Sequence, residues 1–173
     1  MKKILIFSIF LFILAEIKAQ NKIDVKTGEE ILKLLPDKVK DKDNNSDKDS
    51  NKDKDKIKEA EGFIGVVVHR NYGDHDENVN VTFINLSPSL ISVNKFLNKP
   101  IINNPAQYLV TVIDGYKALI QTFYREDGRI DYELLIPMSA TLLSVKSTGY
   151  SRDALIAITK TIPVAQIAKM VEK

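Results

Sequence analysis

The sequence contains no cysteine and no tryptophan, and only two histidines, among its 173 residues. Without cysteine the chain has no disulfide, no cysteine for a lipid anchor and no thiolate metal site, so a packed core must stabilise the fold. No glycine-rich phosphate-binding loop occurs, and the two histidines lack the spacing of a zinc motif. These absences count against an enzyme and against a resident cofactor.

The N-terminus has the organisation of an export signal. Lys2 and Lys3 precede an apolar run over 4–15, and Ala19 lies just before Gln20. This run is shorter than the ~20 residues that a transmembrane helix needs, and alanine suits signal peptidase. We therefore predict a signal peptide over 1–19 and an exported chain, periplasmic or secreted, without a permanent membrane span after cleavage. A retained membrane anchor is the alternative.

The charge balance argues against a nucleic-acid partner. The formal net charge is +2, and the signal itself holds Lys2, Lys3 and Lys18 against the single Glu16, which accounts for the whole excess. Nucleic-acid binding requires a clustered cationic surface, and the rest of the chain shows none.

Two segments precede the main domain. Over 20–36 the pattern predicts a short amphipathic helix, with Thr27 and Glu30 as a capping box. Residues 37–58 are almost all Lys, Asp, Asn and Ser, and this composition predicts a disordered linker. The alternating acidic residues at its start resemble a calcium loop, but Ser46 and Lys52 stand where that loop requires Gly and Glu.

Residues 59–173 predict one α+β domain. Strands are expected over 62–72 and 78–86, a helix after Ser87 and a four-stranded meander over 108–147. Asp114-Gly115 and Asp127-Gly128 supply its first two hairpin turns. Helices follow Ser151 and Pro163. The expected fold is an antiparallel sheet of about six strands (hairpin, helix, meander) with helices packed on one face.

Two-residue turns at both Asp-Gly pairs set a register for the meander. Phe123 then lies opposite Tyr132, and a third turn over 137–140 places Leu134 opposite Leu143. One face collects the expected core: Val110, Val112, Leu119, Phe123, Ile130, Tyr132, Leu134, Ile136, Leu143 and Val145. The other face is apolar at one end, where we predict an interaction surface formed by Leu109, Ile113, Ile120, Leu135 and Leu142. Alternatively, the helix over 20–36 covers this patch.

Three groups of polar residues are candidates for a catalytic or metal site, and each has a simpler interpretation. His69 and His75, with Asp74 and Asp76, form no metal-binding spacing. Residues 149–153 lack the second glycine of a nucleophile elbow, which favours Ser151 as a helix N-cap. Asp131 and Glu133 are near neighbours on a sheet face, but Lys146 on the facing strand favours ion pairing over acid–base chemistry.

A resemblance rests on structural segments alone. The chain contains LKLLP, HRNYGD followed by VNVTF, DGYKA and a closing SRDALIAITKTIPVAQIAKM. In this order they resemble exported envelope proteins of unknown function and, faintly, the PsbP-like α+β sandwich; the resemblance implies no catalytic or binding residue. The expected function is a non-catalytic binding or assembly module of the cell envelope with an unknown protein partner. The alternative is a carrier of an apolar ligand such as a lipid.

Overall fold

The structure is a computed structural model and describes residues 22–43, 56–59, 65–74, 76–98 and 106–172. The strands are β1 (Lys38–Val39), β2 (Lys42–Asp43), β3 (Lys56–Glu59), β4 (Val66–Gly73), β5 (Asn78–Asn85), β6 (Tyr108–Ile113), β7 (Tyr116–Tyr124), β8 (Ile130–Met138) and β9 (Thr141–Thr148). The helices are α1 (Val25–Leu34), α2 (Leu90–Leu97), α3 (Arg152–Thr159) and α4 (Val164–Val171). The predicted signal peptide lies outside the described residues.

Seven strands form one antiparallel sheet in the order β3-β4-β5-β9-β8-β7-β6, and β1 pairs with β2 separately. The predicted α+β class is confirmed, with a hairpin (β4–β5), a helix (α2) and a four-stranded meander (β6–β9) in that order along the chain. The pairing of β5 with β9 joins hairpin and meander into one sheet. The seventh strand, β3, comes from the segment that the composition predicts to be a linker.

One face of the sheet, here called the core face, is buried under α1, α3 and α4. Alternation along each strand points its apolar side chains to this face, because successive residues project to opposite sides. Its strand residues include Val68, Val81, Phe83, Ile113, Ile120, Leu134, Ile136, Leu143 and Val145, all at most 1 % exposed. They pack in one cluster with Ile31 of α1, Leu155 of α3 and Ile167 of α4.

Helix α1 is docked on the core face. Its Ile31 is fully buried. Two side chains of β4 hydrogen-bond the residues that follow the helix. Arg70 Nη1 donates to the Leu35 carbonyl oxygen at 3.0 Å, and the Tyr72 hydroxyl donates to the Pro36 carbonyl oxygen at 2.7 Å. The predicted N-cap, Thr27, is wrong, since the cap is Asp24, whose carboxylate accepts the Thr27 N–H at 2.7 Å.

The predicted linker over 37–58 contains regular structure at both ends. Residues 38–43 form the β1–β2 hairpin, in which the Lys38 ammonium lies 2.8 Å from the Asp43 carboxylate. Residues 56–59 form β3 and pair with β4. Residues 44–55 lie outside the described residues. Composition alone predicts no strand here, because pairing with β4 depends on residues distant in sequence.

The first hairpin has the predicted register, and the second does not. Ile113 lies opposite Tyr116 around Asp114-Gly115, whose φ angles are both positive. Between β7 and β8, however, Phe123 lies opposite Asp131 rather than Tyr132. The connection is a three-residue loop between paired Arg125 and Arg129, with hydrogen bonds from Arg125 N to Arg129 O (2.9 Å) and from Gly128 N to Arg125 O (3.1 Å). Asp-Gly fits this loop equally well, since it needs only one left-handed residue, Gly128.

The third turn differs in the other direction and is shorter than predicted. It consists of Ser139 and Ala140, so Leu134 lies opposite Val145 rather than Leu143. This shift of two residues keeps every side chain of β9 on its predicted face, because strands alternate with period two. The one-residue shift between β7 and β8 changes the face of the side chains on β6 and β7. It moves Val110, Val112, Leu119 and Phe123 from the expected core to the other face of the sheet.

Helix α2 packs on the face opposite the core face, here called the open face. Val93 and Leu97 of α2 form a second cluster there with Leu119, Leu135 and Leu142. Helix α2 therefore departs from the expected arrangement with helices on one face. The physical reason is that the apolar side of α2 must be buried against apolar residues. The register of β7 with β8 places Leu119 beside Leu135 on this face, which gives α2 such a surface.

Within the described part of the chain, no single helix has the length and apolarity needed to cross a membrane. Helices α3 and α4 meet that criterion only as a pair, with a 60° bend between them. Their apolar side chains, including Leu155, Ile158, Ile167 and Val171, are buried in the core cluster.

Candidate functional site

A groove of about 490 Å³ lies on the open face between α2 and the sheet. We call it the α2 groove. Its lining residues come from β5, the turn after it, α2, β7, β8 and β9: Asn80, Thr82, Ile84, Ser87, Ser89, Ser92, Val93, Phe96, Leu119, Gln121, Glu133, Leu135, Leu142, Ser144 and Lys146. Side chains from most of the sheet thus converge on one depression that α2 covers only in part.

The turn after β5 directs α2 across the open face. Leu86 has a left-handed φ of 58°, and its N–H donates to the Ala140 carbonyl oxygen at 2.7 Å, which ties the turn to the β8–β9 hairpin. The Ser87 hydroxyl accepts the Ser89 N–H at 3.3 Å. Helix α2 then begins at Leu90, later than the Ser87-Pro88 pattern predicts. This start leaves both serines on the rim of the groove.

The end of the groove beneath α2 is apolar. Val93 is buried against Leu119, Leu135 and Leu142. The ring of Phe96 packs against that of Tyr108 on β6, with centroids 4.9 Å apart and planes tilted by 31°. This end offers a site for an apolar group of a ligand. Such a group would be removed from water there, and its binding would break no hydrogen bond of the protein.

The other end of the groove is polar. The Ser144 hydroxyl donates to the Glu133 carboxylate at 2.6 Å, a charge-assisted bond that fixes both side chains. Lys146 lies directly opposite Glu133 in the register, but within the described residues it forms no ion pair. Its ammonium lies 5.7 Å from the centre of the Phe123 ring instead. This end therefore presents an oriented carboxylate and a cation that a bound molecule could contact.

A hydroxyl and an imidazole extend this polar end across the sheet. Thr82 of β5 lies opposite Ser144 on one side and His69 of β4 on the other. His69 Nδ1 lies 3.0 Å from the Thr82 hydroxyl oxygen, so the pair shares a hydrogen bond whose direction depends on the tautomer. The open face thus carries hydrogen-bonding groups on four adjacent strands.

The structure separates the predicted interaction surface. Leu109, Ile113 and Ile120 lie on the core face, where Ile113 and Ile120 are buried in the main cluster. Leu135 and Leu142 lie on the open face beneath α2. The grouping of all five on one face is wrong, and its cause is the β7–β8 register. Helix α1 packs mainly on β4 of the core face, so it does not cover Leu135 and Leu142 on the opposite face.

Where the structure describes them, the polar residues singled out in the sequence lie in separate places. Ser151 is the predicted N-cap of α3: its hydroxyl accepts the Ala154 N–H at 3.2 Å. Asp131 pairs with Arg125, whose Nε donates to its carboxylate at 2.6 Å, and not with Lys146. His75 lies outside the described residues. Among those described, no three His, Asp or Glu side chains are placed to hold a metal ion.

A second depression of about 340 Å³ lies between the β1–β2 hairpin and the start of α3. The Lys42 ammonium lies 3.3 Å from the Glu77 carboxylate, and the Lys40 ammonium lies 4.8 Å from the centre of the Tyr150 ring. Burial, followed by the nearby Glu77 charge, raises the pKa of the Tyr150 hydroxyl above its ordinary value. The Lys42–Glu77 ion pair and the contact of Lys40 with the Tyr150 ring attach the β1–β2 hairpin to the rest of the domain.

Sequence reasoning missed most of the α2 groove. Its serines (Ser87, Ser89 and Ser92) carry no motif, and Asn80 and Thr82 resemble the ordinary solvated positions of a half-buried strand. The alternation of β5 could have indicated the groove. Its polar residues share one face of the sheet, and the helix that follows β5 can pack on that face. Comparison of the chain with protein-family models, with curated proteins and with solved structures yields no match.

Proposed function

We propose that this chain is an exported, non-catalytic binding module of the cell envelope, and that a polypeptide partner occupies its α2 groove. One observation carries the proposal: the groove combines an apolar end under α2 with an oriented hydrogen-bonding end at Glu133 and Ser144. Recognition sites in proteins have this composition, in which apolar contacts supply affinity and a few placed polar groups supply orientation. A peptide fits because one apolar side chain and its own backbone amides would match the two ends.

The chemistry of the groove supports binding rather than catalysis. Its lining has a single carboxylate, Glu133, and no histidine. The lining therefore holds neither a histidine nor a carboxylate pair, the groups that most often act as general acid and general base. Export to the periplasm or the exterior rests on the signal-like residues 1–19 and forms part of the proposal.

The apolar end of the groove favours a second candidate function, a carrier of an amphipathic lipid-like molecule. Its volume of about 490 Å³ lies within the range of small-molecule pockets. In that case the acyl part would lie against Leu119, Leu135 and Leu142, and the polar head would reach Lys146. The two functions differ in the size of the bound species.

Site-specific photo-crosslinking in cells that export the chain tests both functions. A photoreactive residue replaces Ser92, which lines the groove from α2. We expect a protein-sized adduct if a polypeptide occupies the groove, and a mass increase below about 1 kDa if a lipid does, since pockets of this volume hold small molecules.

The matched control places the same photoreactive residue at Ile91, the neighbouring position on α2. Ile91 is 68 % exposed and does not line the groove. The proposal requires an adduct at position 92 that position 91 does not give. Equal labelling at both positions, or none at position 92, would contradict both functions.

A further inference from the structure

In the part of the chain that the structure describes, the meander has an edge strand, β6, that carries no charge, proline or bulge to shield it. Within the described residues β6 pairs with β7 alone and forms one end of the sheet. Edge strands are normally shielded by lysine, proline or a bulge, because their unpaired backbone groups invite pairing with another strand. The residues of β6, YLVTVI, include no charge and no proline, and they pair continuously with β7.

The backbone groups that face outward from β6 can be assigned. The Thr122 N–H donates to the Gln107 carbonyl oxygen at 2.9 Å, so these two residues form a hydrogen-bonded pair. Hydrogen-bonded and non-hydrogen-bonded pairs alternate along an antiparallel ladder. Leu109, Thr111 and Ile113 therefore direct their N–H and C=O groups towards β7. Tyr108, Val110 and Val112 direct theirs away from the sheet.

The same three residues place their side chains on the open face. Val110 lies opposite Leu119, which belongs to the α2 cluster. Val110 is 36 % exposed and Val112 is 56 % exposed, although both are β-branched apolar residues. Outward backbone groups and exposed apolar side chains thus coincide on one short row, which is the chemistry that a pairing strand recognises.

We propose that the occupant of this edge is a second copy of the chain, with β6 pairing antiparallel to the partner's β6 about a two-fold axis. The row is self-complementary about its middle residue. With Val110 opposite the partner's Val110, Tyr108 lies opposite the partner's Val112, and the reverse holds on the other side of the axis. Three hydrogen-bonded pairs result, each exchanging two backbone hydrogen bonds.

Charges and space are compatible with this pairing. Across the dimer, the residues in line with Val112 are Lys117 on its own β7 and Gln121 of the partner subunit. No two like charges therefore lie opposite each other. The two copies of β7 lie three strand spacings apart, about 14 Å, and a helix with its side chains is ~10 Å wide. Each α2 therefore remains above its own Leu119. The exposed valines of both copies meet between the helices.

Such an interface is short, so the dimer should be weak and dependent on concentration. Analytical ultracentrifugation of the purified full chain should show monomer at about 1 µM and a doubled mass as the concentration approaches ~500 µM. Val110→Pro should abolish the dimer and lower the melting temperature much less than Thr111→Pro, because proline at position 110 removes an outward N–H and no ladder hydrogen bond. Thr111→Pro, which removes an inward N–H, should lower the melting temperature.

Disulfide crosslinking through one introduced cysteine tests whether a second copy of the chain pairs with β6. The natural sequence contains no cysteine, so Val110→Cys creates one thiol per chain, on the proposed axis. Mild oxidation should yield a disulfide-linked dimer, whereas Ile91→Cys, on an exposed site of α2, should not. A wild-type chain that stays monomeric throughout the concentration series would overturn the proposal. So would equal crosslinking of the two cysteine variants.

Discussion

At the scale of single residues, the end of the β7–β8 hairpin carries two arginine–aspartate pairs that differ in burial. Asp131 is 2 % exposed, and its carboxylate accepts from Arg125, which also reaches the Thr148 hydroxyl at 3.4 Å. Asp127 and Arg129 are both largely exposed. Burial decides what removal of the arginine costs, because a buried carboxylate left without a partner cannot regain its hydration.

Arg125→Met should therefore lower the free energy of unfolding by about 2 kcal/mol, less than the loss of a partner costs in a fully buried pair, because the Arg125 side chain is itself 40 % exposed. Urea denaturation at neutral pH measures the change. Arg129→Met is the matched control from the same loop and should leave the unfolding midpoint almost unchanged. Equal losses in the two variants would show that Asp131 is solvated.

Tyr150 should make stability sensitive to alkaline pH. Burial raises the pKa of its hydroxyl, so the folded state retains a proton that the unfolded chain releases at the ordinary value near 10. Its contribution is complete below that value and is lost as the pH rises through the folded-state pKa. Between about pH 9 and pH 11 the wild type should lose more stability than Tyr150→Phe, which keeps the ring beneath Lys40 and lacks the titrating group.

Thermal denaturation across that pH range checks the prediction, with Tyr124→Phe as the control. Tyr124 is exposed, and its hydroxyl donates to the Ala106 carbonyl oxygen at 3.3 Å. This variant should follow the wild type. Parallel pH curves for the wild type and Tyr150→Phe would contradict the assignment.

At the scale of elements, α1 is part of the domain rather than an appendage. A helix of this length is not stable alone in water, and the structure supplies its support through Ile31 and the two hydrogen bonds from β4. Ile31→Ala should lower the free energy of unfolding by about 3 kcal/mol, since it deletes a fully buried side chain. Val25→Ala, at an exposed position of the same helix, is the control in the same urea titration. A loss below about 1 kcal/mol would mean that α1 is not packed on the sheet.

The turns show why the elements were predictable and one register was not. Asp-Gly indicates a tight hairpin at both sites, and both hairpins exist. The local sequence does not distinguish a two-residue loop from a three-residue loop, because glycine supplies the left-handed residue in each. The longer loop is accompanied by two arginine–aspartate contacts, Arg125 with Asp131 and Arg129 with Asp127. That information lies in side-chain contacts beyond the turn.

At the scale of the whole molecule, one residue of register decides which face can bind. The predicted sorting places Val110, Val112 and Leu119 in the core and assigns Ile113 and Ile120 to the surface. The structure places Val110, Val112 and Leu119 on the open face, where Leu119 is buried beneath α2, and it places Ile113 and Ile120 on the core face. Fold class, strand order within the meander and the Ser151 cap follow from the sequence, since they depend on local chemistry. The α2 groove does not, because it requires the side on which α2 packs.

The two proposals concern adjacent parts of the open face. The α2 groove lies over β5, β7, β8 and β9, and the pairing edge is β6. A partner in the groove and a second copy at the edge can bind together, since the proposed dimer leaves each α2 above its own sheet. Their tests are independent: photo-crosslinking at position 92 reports the groove, and the oxidised Val110→Cys variant reports the edge.

The central claim is that the open face binds a partner and the core face only supports the fold. Methyl NMR of the labelled full chain, titrated with envelope extract from cells that produce it, tests this most directly. We expect the signals of Leu119, Leu135 and Leu142 to shift while those of Leu134, Ile136 and Leu143 stay in place. Unchanged open-face signals, or shifts confined to the core face, would contradict the account.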